Sequence, residues 1–206
     1  VQTVEGGEAT EFQIVRGGRR FAVRVPAYGS HMVHAALAGA AVGLELGLTE
    51  EEIAAGLAEY RTVGRRARIV RTEFCTLVDD CYNANPDSCA AAIRSLAALP
   101  GRKVCILGDM LELGEQSPSL HRELGALAAA SGARAVITCG REARFIYEGA
   151  RKAEEHVLAW HFEEKEALIE CLPMLLQEGD VVLVKASHGM HFDDISMAVE
   201  KLQEVG

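Results

Sequence analysis

Residues 78–93 read VDDCYNANPDSCAAAI, and the order of their parts decides the fold. An apolar run stops at Asp79-Asp80, a loop containing Tyr82, Asn83 and Asn85 follows, and Asn85-Pro86 opens a stretch with Ile93 and Leu96 at helical spacing. Continuous apolar runs of this length suit strands buried on both faces of a parallel sheet. Asn as cap followed by Pro in the first turn is a helix start. A strand, a polar loop and a helix in that order predict an α/β fold in which ligands gather where the strands end.

Working outward, the same alternation recurs. Strands are expected at 68–74, 76–80, 103–108, 135–139, 156–161 and 181–185, with helices from 85, from Ser117-Pro118, and over 141–152, 163–177 and 192–204. Pro173 should kink or split the fourth of these helices. The pattern predicts a Rossmann-like domain with a mainly parallel six-stranded sheet. Upstream the character differs. Residues 9–28 read as two strands joined at Gly17-Gly18, a hairpin signal. Val33, Leu37, Ala40, Leu44 and Leu48 then fall at helical spacing, and Thr49 with Glu52 forms a capping box for a short helix. Four arginines and a glycine between 61 and 68 mark a boundary, which divides the chain into 1–65 and 66–206.

The 206 residues are 49% hydrophobic and 25% charged, an ordinary globular composition. A net charge of −9 and a pI near 5.3 exclude general polyanion binding, because the field repels a phosphate backbone. The longest apolar runs fall far short of a membrane span, and no signal segment opens the chain. Six cysteines without CxxC or Cys/His spacing read as buried reduced thiols of a cytoplasmic protein. A first residue other than Met suggests an excised piece.

Three predicted strand ends are chemically rich: DDCYNANPDS, LGDMLELGEQS and VKASHGMH. Asp79 and Asp80 suit a general acid/base pair, metal ligands or acceptors for a sugar hydroxyl. Neighbours in a strand face opposite ways, so one should face the crevice while the other structures the turn. The alternative is a turn cluster that only caps the next helix. Asp109, Glu112 and Glu115 are either metal ligands or solvated loop acids. Lys185 leaves a buried strand and needs an anion for its ammonium, whether from a ligand or from a neighbouring Asp. Arg65, Arg66 and Arg68 can grip phosphate oxygens or simply face solvent. No GxxxxGK[ST] string occurs, so no Walker-type phosphate cradle is present in these residues.

Taken together, DDCYNANPDSCAAAI, ILGDMLELGEQSPSLHRELG and LVKASHGM, with GSHMVHAALAGAAVGLELGLTEEEIAAGL upstream, closely resemble the Mur ligases of bacterial cell-wall synthesis. The resemblance implies that 1–65 end the family's central ATPase domain and that 66–206 are its carboxyl-terminal domain. It implies an ATP- and Mg-dependent amide ligase whose partners are ATP, UDP-N-acetylmuramoyl-tripeptide and D-alanyl-D-alanine, working through an acyl phosphate. Without the P-loop, carbamylated lysine and magnesium ligands of the family, these residues alone should be inactive. Position by position, Asp80 matches the acid that contacts the ATP ribose and Arg66 an arginine that reaches the phosphates, although Gly64-Arg65 replaces the usual Pro-Gly. His31 matches a histidine beside the adenine, but Met32 and Ala35 stand where the family has asparagines. Tyr82, Asn83, Asn85, Lys185 and Ser187 are expected to face substrate. A sibling ligase of the folylpolyglutamate synthase type, or a non-catalytic α/β module that binds a nucleotide or protein, are the competing readings; YNANP argues against the sibling.

Overall fold

The computed structural model describes residues 2–3, 9–27, 29, 32–61 and 64–202. It divides into two compact units, 1–63 and 64–206.

In the first unit, β1 (Gln2–Thr3), β2 (Thr10–Arg16) and β3 (Arg19–Val25) form an antiparallel sheet in that order. Gly17 and Gly18 both have positive φ, +55° and +82°, as a two-residue hairpin turn of matching twist requires. Phe12, Ile14, Val23 and Val25 alternate inward against α1 (Met32–Glu45) and α2 (Glu50–Ala58). The inner face of α1 is Ala36, Ala40 and Gly43, whereas Leu37 and Leu48 from the predicted stripe are exposed. Small residues let the helix approach its neighbours closely, and the larger ones lie to the side. Before α2, Thr49 Oγ1 accepts the Glu52 N–H at 3.2 Å and Glu52 Oε2 accepts the Thr49 N–H at 2.8 Å, the expected capping box.

The second unit is a three-layer α/β structure. Its strands are β4 (Arg68–Arg71), β5 (Cys75–Asp79), β6 (Arg102–Gly108), β7 (Ala135–Cys139), β8 (Leu158–Phe162) and β9 (Asp180–Lys185), arranged β4-β5-β9-β6-β7-β8. All neighbours are parallel except β4 with β5. The last strand, β9, inserts between β5 and β6 and is buried along its whole length. Register places Asp79 beside Val184, Leu107 beside Lys185 and Gly108 beside Cys139, so the strand tips form one edge. The helices are α3 (Pro86–Ala97), α4 (Ser117–Ala130), α5 (Arg144–Ala153), α6 (Lys165–Leu175) and α7 (Asp193–Glu200). Leu168, Leu172, Ile195 and Val199 of α6 and α7 pack on Val104, Ile106, Ile137 and Val184 of one sheet face. Helices α3, α4 and α5 contact strands of the same sheet. Asn85 caps α3 with Pro86 in the first turn, as expected.

Pro173 does not split its helix. It lies inside α6, only two residues from the end at Leu175, so the missing N–H removes a bond from a turn already finishing. Among the described residues no helix is long and apolar enough to cross a membrane.

All six cysteines are free. Burial pushes the Cys81 and Cys105 thiols up to about 12 and those of Cys89 and Cys139 up to about 11; it raises Cys75 as well. Only Cys171 is partly exposed. Because the thiolate is the reactive species, a thiol reagent at neutral pH should titrate one thiol quickly and the other five only on unfolding. Rapid labelling of two or more thiols in the folded chain would contradict the burial described.

Candidate functional site

The two adjacent acids at the end of β5 take different partners, as the strand pleat requires. Asp79 is wholly buried. Its carboxylate accepts bonds from Arg65 Nη1 (2.5 Å), Ser196 Oγ (3.0 Å) and Cys81 Sγ (3.1 Å). Arg68 lies 3.7 Å from it and also pairs with Glu200. Asp79 is therefore structural: it ties the strand tip to α7 and to the segment before β4.

Asp80 turns the other way. Oδ1 accepts the Ala67 N–H at 3.0 Å, and Oδ2 meets Lys185 Nζ at 2.6 Å. The same ammonium donates to the Asn83 carbonyl at 2.9 Å. The Lys185 side chain is 2% exposed and that of Asp80 13%. Lys185, expected to face a substrate, instead turns inward, because the strand end buries it and three oxygens of the neighbouring loop satisfy its charge. Ser187, with the same expectation, is also buried. Its Oγ accepts the Leu111 N–H at 2.9 Å and donates to the Ala84 carbonyl at 3.3 Å, and its own N–H donates to the Asp109 carbonyl. Lys185 thus anchors the 80–85 loop, and Ser187 joins that loop to the 109–113 loop.

The second loop is fixed from behind by Asp109 and by His121, a residue that no motif singles out. Asp109 is not a solvated acid: it is buried, and Oδ1 accepts the N–H groups of Glu142 (3.0 Å) and Ala143 (2.7 Å) ahead of α5. His121 is fully buried. Its Nε2 accepts the Met110 N–H at 3.0 Å, and Nδ1 lies 2.7 Å from the Ser117 carbonyl. A carbonyl can only accept, so Nδ1 carries the proton and the ring is neutral. The sequence signal was a lone histidine on the inner face of α4, which by itself does not distinguish such a bond from simple packing. Among the described residues no group of three or more His, Cys, Asp or Glu could hold a metal ion.

These loops enclose a cleft of about 530 Å³, lined by Tyr82, Asn83 and Asn85 on one side, Leu111 and Glu112 on another, and Ser187 and His188 on the third. Of the boundary arginines, Arg65 and Arg68 are bound to acids, while the exposed Arg66 guanidinium lies 3.8 Å from the Tyr82 ring centroid. The Tyr82 and His188 rings are 5.4 Å apart. His31 lies outside the described residues. A larger hollow of about 730 Å³ in the first unit is lined by Phe12, Val23, Val33 and Leu37. It contains none of the candidate residues, and its Glu11 and Arg24 are paired with each other at 3.4 Å.

A parallel sheet with a polar cleft at its strand tips defines an α/β ligand-binding domain. Residues 65–188 match the family described as Mur ligase, glutamate ligase domain, and the chain belongs to the Mur ligase family. It is 37% identical over 200 residues to the UDP-N-acetylmuramoyl-tripeptide–D-alanyl-D-alanine ligase of Escherichia coli, covering 96% of this chain and 42% of that protein. Crystal structure I of MurF from Acinetobacter baumannii superimposes with a TM-score of 0.84 at 28% identity, covering 95% of this chain and 43% of that one. MurF ligase from Thermotoga maritima in complex with ADP gives 0.79 at 26% identity, covering 94% and 44%. The chain thus spans about two fifths of the length of these relatives.

Proposed function

We propose that this chain is the nucleotide-closing and amine-receiving part of an ATP-dependent ligase that adds D-alanyl-D-alanine to UDP-N-acetylmuramoyl-tripeptide through an acyl phosphate. On this reading residues 1–65 belong to the central ATPase domain and 66–206 form the carboxyl-terminal domain. The observation that carries the reading is the cleft itself: three of the strings that resemble the family are the loops that meet there, two of them joined through Ser187.

Asp80 fits a ribose contact. Each carboxylate oxygen has two lone pairs and one partner, leaving capacity for a sugar hydroxyl at the partly open side. Of Arg65, Arg66 and Arg68, Arg66 has no acidic partner among the described residues, which suits a phosphate contact. ATP supplies the phosphoryl group. With no carboxylate cluster among the described residues to hold it, magnesium is left to the triphosphate and to other segments. The chain's own groups position the reactants, the main task in phosphoryl transfer.

In a complete ligase containing these residues, phosphate release should require ATP, the UDP-linked tripeptide and D-alanyl-D-alanine together. The 206 residues alone should release none. Turnover by the isolated chain, or a complete protein that hydrolyses ATP without joining the peptides, would overturn the assignment.

A further inference from the structure

The side-chain amides of Asn83 and Asn85 have fixed orientations. Asn83 Oδ1 accepts the Ala84 N–H at 2.9 Å, and Asn85 Oδ1 accepts the Ser88 N–H at 2.8 Å. An NH₂ group cannot accept from a backbone N–H, so the bonds themselves exclude the flipped amides. Both oxygens are therefore committed to their own loop. Neither NH₂ group has a partner among the described residues, although both side chains are exposed and line the cleft.

The surroundings share this polarity. Tyr82 and His188 line the same cleft, and Arg66 stacks on Tyr82. Asp79 and Asp80 are neutralised by Arg65 and Lys185, and Asp109 is held by two backbone N–H groups. Glu112 is the one carboxylate among the cleft-lining residues. A wall of unpartnered donors is complementary to an acceptor-only group, and most strongly to a charged one.

We propose that the cleft takes an oxyanion, a carboxylate or a phosphate, through the NH₂ groups of Asn83 and Asn85, with Arg66 supplying positive field. The inference deepens the ligase reading and rests on it for the kinetic part of its test. The first measurement does not need that reading. In NMR titrations of the 206-residue chain with sodium acetate or inorganic phosphate, the side-chain NH₂ signals of Asn83 and Asn85 should shift saturably. Equal shifts with sodium chloride, or none with either anion, would overturn the proposal.

The decisive variants are Asn83→Asp and Asn85→Asp. Aspartate keeps the acceptor each loop bond needs, and is as good a helix cap as asparagine, so the fold is retained while two donors become a negative charge. Both variants should lose the anion-dependent shifts. In the complete ligase they should raise one Michaelis constant by about tenfold or more, with kcat changed by no more than about twofold. A rise confined to D-alanyl-D-alanine, absent when its carboxamide is the acceptor substrate, identifies a carboxylate; a rise confined to ATP identifies a phosphate. Asn83→Ser and Asn85→Ser keep a neutral acceptor and should give the same effect in weaker form. Unchanged constants for both substrates in folded variants would reject the site. A parent that makes no product would reject the ligase reading and leave the titration to decide this one.

Discussion

Replacing Lys185 by methionine is expected to destabilise the second unit by about 3–5 kcal/mol, the usual cost of removing one member of a buried ion pair. The stem is kept almost isosteric, so the loss comes from the ammonium alone. Without it the Asp80 carboxylate, 13% exposed, retains only the Ala67 N–H, and the Asn83 carbonyl loses its donor. For a unit of this size the loss corresponds to a fall in Tm on the order of 10 °C. Urea unfolding followed by circular dichroism would measure it, and a variant within about 1 kcal/mol of the parent would show that the pair contributes little.

The partner substitution separates the pair from its loop. Asp80→Asn keeps an acceptor for the Ala67 N–H but leaves Lys185 charged and buried against carbonyl groups. In the double variant neither charge remains, so its loss should be smaller than the sum of the single losses, by an amount that measures the coupling. A buried pair is seldom the most stabilising choice for a site. The proposed ribose contact gives it a reason: the pair holds a carboxylate at a partly open position beside the cleft, where an apolar side chain could not accept a hydroxyl.

Much of this was legible in the sequence. The six strands of the second unit were predicted within a few residues, because buried parallel strands are continuous apolar runs such as the VVLV of 181–184. Asn85-Pro86 and Thr49 with Glu52 carry their own capping chemistry, and both caps form. The site was legible as three loops but not as contacts. Composition shows that Lys185 needs an anion; it does not show that Asp80, over a hundred residues earlier, supplies one. Asp109 looked solvated because its flanking residues are loop-like, yet its partners are backbone N–H groups at 142 and 143, and backbone groups carry no sequence signal. His121 and Ser117 were hidden in a helix whose apolar stripe explained itself without them.

The least legible feature gives the other large prediction. Gly125 of α4 and Gly149 of α5 are helical glycines, and propensity alone says that alanine should stabilise such positions by about 0.5–1 kcal/mol. At Gly56 of α2, where a Cβ would meet nothing within 4 Å, Gly→Ala should do that. At the α4–α5 crossing the sign reverses. A Cβ on Gly125 would lie 1.9 Å from the Ile146 carbonyl oxygen, and one on Gly149 2.1 Å from that of Arg122. Both obstacles are backbone, so no rotamer change relieves them; the helices must move apart, losing the Arg122–Glu148 pair at 3.0 Å and the packing beneath it. Gly125→Ala and Gly149→Ala should each cost about 3 kcal/mol or more, at or beyond the upper end of ordinary overpacking. The cleft should suffer too, because α4 carries His121, which holds the Met110 N–H, and the turn into α5 holds Asp109. Urea midpoints for the three alanine variants test the whole argument: Gly56→Ala should rise while the other two fall. Equal midpoints for Gly125→Ala and the parent would contradict the close approach of the two helices.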